Sequence, residues 1–287
     1  MNEKFLKEMF HSSQLPGIGF GLADISQEAQ KLAGKLSISG VQPKLSVKLD
    51  KKQNMLIVVN EGGEYILKPQ TPAFAHIPEN EQCCMDIAQE LNIDVPPHCL
   101  IPLRDKSLAY AVKRFDREKG TKIHQEDFAQ ILEENDKYKG SVEQIGRKLK
   151  DISSAPGYDA QLLFERVVLN FILGNGDAHL KNYSISYKGD NRRLSPAYDV
   201  VCSRLAIPDE KEESAINING KKSRLLKADF DKLAEYLNVP IKVRYENFGR
   251  KFDTMKRIIR ASQINKADQA TFLDIIKERL RRLELSE

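Results

Sequence analysis

Long apolar runs are missing from this 287-residue chain. No stretch approaches the roughly 18 consecutive apolar residues that a membrane-spanning helix needs, so a membrane protein is not expected. The opening residues, MNEKFLKEMF, mix acids and bases and lack the apolar centre of a secretory leader. Export is therefore not expected, and a cytoplasmic location is. Cysteine is scarce: Cys83, Cys84, Cys99 and Cys202 form no C-x-x-C pair. Adjacent Cys83 and Cys84 cannot make an ordinary unstrained bridge, so the thiols read as reduced, buried, small apolar residues. Neither G-x-G-x-x-G nor G-x-x-x-x-G-K-[ST] occurs, and H-R-D and D-F-G are absent too. That excludes an ordinary kinase glycine loop and a P-loop.

What is present describes a globular protein. Hydrophobic residues make up 41% and charged residues 30%, a balance that supports one large or two modest folded domains. The net charge of +4 is unevenly spread. Residues 221–287 hold 17 Lys+Arg against 10 Asp+Glu, leaving the remainder slightly acidic. A basic final third can meet phosphate, but mixed charges along helices read first as a solvated face.

Two halves emerge from the pattern. Residues 44–116 are strand-rich: KLSVKL puts Leu45, Val47 and Leu49 on one face, and MLIVV (55–59) follows. A turn at Gly62-Gly63 then leads to EYILK, ending at Lys68. Pro78 and Glu79 suit a first helical turn, with Cys84, Ile87, Ala88 and Leu91 at spacings of three and four. VPPH (95–98) breaks that helix, and LAYAVKRF (108–115) reads as another strand. Beyond it the chain turns helical. Ten of the fourteen residues in AQLLFERVVLNFIL (160–173) are apolar, so this helix is oily on too many sides to lie at a surface. GNGDAHLKN (174–182) leaves it directly, and a short strand pair leads to Tyr198-Asp199. The last sixty residues read as helices, the final one from about 269 to 285. The expected fold is α+β and two-lobed: a small mixed β lobe over 1–113 and a larger helical lobe over 114–287.

The loop after the buried helix carries the chemistry. Asp177 and Asn182 are five apart, the spacing of Asp and Asn in the catalytic loop of protein kinases. Phosphoryl transfer needs one carboxylate at the acceptor hydroxyl and oxygen ligands for Mg²⁺ against the ATP phosphates. Asp199 lies 17 residues beyond Asn182, across a hairpin, where such a ligand belongs. His179 could orient the loop or contact phosphate. Each residue alone has a plainer reading: Asp177 and Asn182 as turn residues, Asp199 as a helix cap, His179 as structural. Their joint occurrence in this order favours phosphoryl transfer.

The small lobe would then bind nucleotide. Lys68 closes a strand ahead of a helix, as the phosphate-pairing lysine of a kinase does, although a solvated strand-end lysine fits equally. Glu81 could pair with it; helix-dipole complementarity is the preferred reading. Lys113, Arg114, Phe115 and Asp116 fall at the junction, where backbone groups would meet adenine, and Phe115 also fits as core. Ser37-Ile38-Ser39-Gly40-Val41-Gln42-Pro43-Lys44 is the candidate phosphate loop, and with one glycine its backbone would approach phosphates under more constraint.

SISGVQPKLSV (37–47), HIPENE (76–81), VKRFDR (112–117), GNGDAHLKNYS (174–184) and SPAYDV (195–200) together resemble the HipA-like serine/threonine kinases, toxins of bacterial toxin–antitoxin systems. The resemblance implies Asp177 as catalytic base and Asn182 and Asp199 as Mg²⁺ ligands. It also implies Lys68 on the ATP phosphates and Lys113 to Phe115 around adenine. Ser39, Gly40, Val41, Gln42, Pro43 and Lys44 would form the phosphate loop, with His179 and Tyr198 lining the nucleotide site. Ser37 and Ser39 would be autophosphorylated; without the resemblance they read as turn serines. Only 36 residues precede Ser37, whereas long members carry a further subdomain there. The chain is therefore similar to the short, HipT-like form of a three-component system, whose partners are a small HipS-like antitoxin and a HipB-like helix-turn-helix protein that binds DNA. The implied substrate is a protein serine, on an aminoacyl-tRNA synthetase. A small-molecule phosphotransferase and a non-enzymatic subunit of a DNA-bound repressor complex are the alternatives.

Overall fold

The computed structural model describes residues 1–25, 43–118 and 120–285. The chain forms two compact units, Met1–Gln82 with Pro96–Lys122, and Cys83–Val95 with Ile123–Glu287.

The first unit is built on a six-stranded sheet. Its elements are α1 (Glu3–Phe10), β1 (Gly17–Ile18), β2 (Leu45–Asp50), β3 (Met55–Val58), β4 (Tyr65–Pro69), the start of α2 (Ile77–Glu90), β5 (His98–Pro102) and β6 (Leu108–Lys113). The strand order is β1-β3-β2-β4-β6-β5, antiparallel except for the β1–β3 pair. Period-two alternation decides what each face does. Leu45, Val47, Tyr65 and Leu67 face one way and bury against Leu6, Met9 and Phe10 of α1. The Tyr65 hydroxyl donates to the Met9 carbonyl at 2.8 Å, and the Phe10 and Tyr65 rings lie 5.3 Å apart. Helix α1, absent from the sequence reading, is held at its start by the Asn2 side chain accepting from the Phe5 N–H. Strand β5 was also unread, hidden behind VPPH; it pairs with β6 from His98↔Val112 to Pro102↔Leu108. The hairpin of β7 (Arg117–Glu118) with β8 (Thr121–Lys122) pairs within itself and stays with the first unit, while α2 passes into the second from Cys83 onward.

The second unit is mainly helical. It contains β9 (His124–Asp127), α3 (Phe128–Ile131), α4 (Val142–Ile152), α5 (Pro156–Ile172), β10 (Ser184–Lys188), β11 (Asn191–Leu194), α6 (Ser203–Ala206), α7 (Lys227–Leu237), α8 (Phe252–Ala261) and α9 (Lys266–Arg282). Proline opens α5 at its first turn, where the missing N–H costs nothing. As its composition implied, α5 is largely buried from Asp159 onward, including Leu163, Phe164, Val167, Val168, Leu169, Phe171 and Ile172, and it packs on α4, α7 and α9. The three strands order as β11-β10-β9, all antiparallel. Asp159, fully buried, ties this sheet to α5: its carboxylate accepts from Arg193 at 2.7 Å and from the Leu194 N–H at 2.9 Å. All four cysteines are reduced and buried. Burial pushes the Cys83 and Cys202 thiols up to about 12, so they pack as inert apolar groups.

Candidate active site

The loop leaving α5 is fixed by its own polar residues. Gly174 takes a φ of +69°, a left-handed turn that glycine enters without strain. The Asn175 amide donates to Asn170 Oδ1 at 2.9 Å and its carbonyl oxygen accepts from the Asp177 N–H at 3.2 Å. The Ser203 hydroxyl accepts from the Gly176 N–H at 2.8 Å. A β-carbon on Gly176 would stand 2.8 Å from the Glu212 carbonyl oxygen, so the backbone can pass here only without a side chain. Asp177 is thereby presented on a short, over-determined segment.

Asn182 ends a 3-10 turn (Leu180–Asn182). Its Oδ1 accepts from the His179 N–H at 2.9 Å, and its Nδ2 donates to Asp199 Oδ2 at 3.3 Å. Asp199 sits beyond the β10–β11 hairpin at φ +60°. A non-glycine residue rarely holds that conformation, and where it does the strain is commonly part of a functional site. The structure thus sets the Asn182 amide beside the Asp199 carboxylate, 17 positions apart in sequence, with the amide nitrogen toward the carboxylate and the amide oxygen toward the His179 N–H. These donors are hard oxygens, and the Asn182 carbonyl keeps a second lone pair, so the pair suits Mg²⁺. Among the described residues no cluster of three or more His, Cys, Asp or Glu offers a competing metal site.

The Asp177 carboxylate faces Tyr138, whose hydroxyl donates to Oδ1 at 2.9 Å. The same ring meets His179 edge-on, centroids 5.4 Å apart at 81°. Burial, then the Asp177 charge, raises the phenol to about 12. His179 is itself buried, and desolvation lowers its imidazole pKa against the pull of Asp177. Deeper still, Arg166 of α5 is 3% exposed, and its guanidinium makes no hydrogen bond among the described residues. It lines a cavity of about 10 Å³, room for about one water, together with Asn182, Tyr198 and Asp199. Burial lowers Arg166 to about 10, opposed by Asp94, so it stays cationic beneath the oxygen donors.

In the first unit, Lys68 lies on the face of β4 opposite Tyr65 and Leu67, because one residue of register reverses a strand side chain. Its Nζ is 2.5 Å from Glu81 Oε1, with Lys68 4% and Glu81 1% exposed. The Tyr110 ring adds a cation–π contact at 5.6 Å. Glu81 therefore does more than complement a helix dipole: it holds a buried ion pair.

The remaining expected residues divide. The Lys113 ammonium donates to the Glu8 carbonyl at 2.7 Å, and its N–H bonds Pro97 O. Arg114 is bidentate to Asp116 at 2.8 and 2.7 Å, and its N–H bonds Glu64 O. Their donors serve the sheet, α1 and a local ion pair, while Phe115 is half-buried. The Tyr198 hydroxyl is turned to the Lys181 carbonyl and the Ser184 hydroxyl, each at 3.0 Å. Pro43 and Lys44 are exposed ahead of β2. Ser37, Ser39, Gly40, Val41 and Gln42 lie outside the described residues.

The profile of the family described as HipA-like C-terminal domain matches residues 36–275. The chain belongs to that family. Y4dM of Sinorhizobium fredii, whose name proposes a kinase, is 37% identical over 214 residues, covering 68% of this chain and 51% of that protein. The serine/threonine-protein kinase toxin HipA of Shewanella oneidensis is 26% identical over 190 residues, covering 58% and 43%. This HipA-like chain spans about half the length of the curated relatives it matches. Among solved structures, Shewanella oneidensis HipA, determined with HipB and operator DNA, superposes with a TM-score of 0.73 at 20% identity, over 93% of this chain and 72% of that one. The Helicobacter pylori proinflammatory kinase CtkA gives 0.57 at 15% identity, over 79% and 87%. The α+β, two-lobed kinase-like fold is thereby shown.

Sequence reasoning missed two residues of this candidate site. Tyr138 stands 39 positions before Asp177 in an unremarkable polar stretch, and no spacing rule links them. Arg166 carried one usable signal, a lone cation inside the oiliest helix of the chain.

Proposed function

We propose that this chain is a Mg-ATP-dependent serine/threonine protein kinase and the toxin of a toxin–antitoxin system. The observation that carries the reading is the rigid loop that projects Asp177 while holding Asn182 against a left-handed Asp199. In this reading Asp177 accepts the proton of the acceptor serine hydroxyl as its oxygen bonds the γ-phosphorus and the bridging O–P bond to ADP breaks, ADP leaving with that electron pair. Mg²⁺, when bound by Asn182 and Asp199, neutralises charge on the ATP phosphates. Lys68, kept in place by Glu81, pairs with phosphate oxygens, and Arg166 sets the potential behind the donors. Little covalent chemistry is asked of the protein, so the acceleration comes from positioning and electrostatics. The adenine role falls to Phe115 and neighbouring carbonyls, since the Lys113 and Arg114 N–H groups are engaged in the sheet.

The deciding experiment is Asp177→Asn. Phosphate transfer to protein should fall by at least about 10²-fold, the usual contribution of a positioned base, while ATP still binds by calorimetry. Transfer at the wild-type rate would remove Asp177 from the mechanism.

The finer parts of the proposal follow from kinship. The acceptor is a protein serine, with an aminoacyl-tRNA synthetase as the candidate target. A HipB-like DNA-binding protein and a HipS-like small antitoxin are the candidate partners of a short, HipT-like toxin. Phosphate on Ser37 or Ser39 would add about −1.5 to −2 charges and compete with ATP for Lys68, so phosphorylated protein should bind ATP more weakly than unphosphorylated protein.

A further inference from the structure

We propose that Tyr138 is an internal stand-in for the acceptor. Its hydroxyl occupies Asp177 Oδ1, one of the two carboxylate oxygens of an exposed residue, and a serine that uses this oxygen gains the base by displacing the tyrosine. This deepens the kinase reading and rests on Asp177 as base.

Three observations carry it. First, the Tyr138 hydroxyl donates to Asp177 Oδ1 at 2.9 Å, the donor, acceptor and distance expected of an acceptor hydroxyl facing a general base. Among the described residues it is the one hydrogen-bond donor to that carboxylate. Second, the loop does not need this contact for its shape. Asn170, Asn175, Asn182 and Ser203 already fix the backbone on both sides of Asp177. The bond from Tyr138 adds nothing to that frame and engages only the reacting group. Third, the tyrosine is tethered where it can leave. Its backbone is anchored by a turn at Asp136, whose carboxylate accepts from the Tyr138 N–H at 2.9 Å, and by the Lys137 carbonyl, which accepts from the Leu180 N–H at 3.1 Å. The side chain itself is 40% exposed, with the Lys137 ammonium 4.9 Å from the ring centroid on one side and His179 at its edge. A rotation of the side chain would free Asp177 Oδ1 without moving the backbone. The ring also covers part of His179, so the same rotation exposes the imidazole beside the base.

The test is Tyr138→Phe in the full chain, which keeps the ring against His179 and deletes only the hydroxyl. The readouts are ADP release from Mg-ATP into water and phosphate transfer to dephosphorylated casein as a serine probe. Relief of one hydrogen bond to a charged acceptor at a half-exposed site predicts about a three- to ten-fold rise in ADP release and in kcat/KM for casein. The KM for ATP should not move, which separates uncapping from a general structural effect. In an Asp177→Asn background the gain should vanish. Unchanged or slower rates in Tyr138→Phe overturn the proposal, as does phosphate on Tyr138 by mass spectrometry, which would make it an acceptor. If Asp177→Asn is inactive and Tyr138→Phe is no faster, only the cap fails. If Asp177→Asn transfers normally, the underlying base assignment fails first.

Discussion

At the scale of single residues, the Lys68–Glu81 pair shows why a buried ion pair need not be a stabilising contact. Both partners are buried. Removing water from two charges costs several kcal/mol per ion, which their attraction only partly offsets, whereas deleting one partner leaves the other desolvated. Lys68→Met should therefore destabilise the chain by about 3–5 kcal/mol, and adding Glu81→Leu should restore most of that loss. Urea unfolding of the two variants checks this; a double variant no more stable than the single would refute it. Neither variant should transfer phosphate. The pair was only half legible beforehand. Lysine at a strand end followed by a helix is visible in sequence, but which face of β4 holds Lys68 depends on register. Register is set by the burial of Tyr65 and Leu67 against α1, a helix that no motif announced.

At the scale of elements, α9 is locked down by one acid. Glu213 accepts from Arg282 at 2.7 and 2.9 Å, pairs with Arg279 at 2.5 Å, and accepts from the Leu225 N–H at 2.9 Å. Arg279 meanwhile lies over the Phe171 ring of α5 at 4.6 Å. Burial works to raise the Glu213 carboxyl, but the Arg282 and Arg279 guanidiniums and the Leu225 N–H outweigh it and hold the pKa down to about 2. A folded-state pKa below the ordinary 4.5 contributes stability that is complete above that value and is lost as pH falls toward about 2. Glu213→Gln should thus lower the melting temperature at neutral pH, with the gap to wild type closing between about pH 4.5 and 2. A gap that stays constant across that range would mean the ion pairs contribute nothing. Elements were legible in proportion to how strongly one period dominated. The α5 run, apolar on most sides, could only be a buried helix, and the loop behind it followed. β5 was lost because prolines at 96 and 97 end one element immediately before another begins. β9 was lost because its strand character comes from pairing with β10 rather than from its own side chains.

At the scale of the whole molecule, the charge asymmetry separates the two classes of function that composition left open. A basic final third could hold the protein on nucleic acid, but several of its cations are already paired with carboxylates. Lys221 pairs with Asp229, Lys227 with Asp231, Arg244 with Asp231 and Glu235, Arg257 with Glu90, and Arg279 and Arg282 with Glu213. A cation already matched to a carboxylate of its own unit releases few counterions when phosphate approaches, and counterion release supplies most non-specific DNA affinity. The isolated chain should therefore bind a 30-base-pair duplex weakly. In fluorescence anisotropy, the slope of log affinity against log salt should correspond to no more than about two or three phosphate contacts, against the six to ten of dedicated DNA-binding proteins. A steep salt slope for the chain alone would reverse that conclusion and make the basic third an interface in its own right.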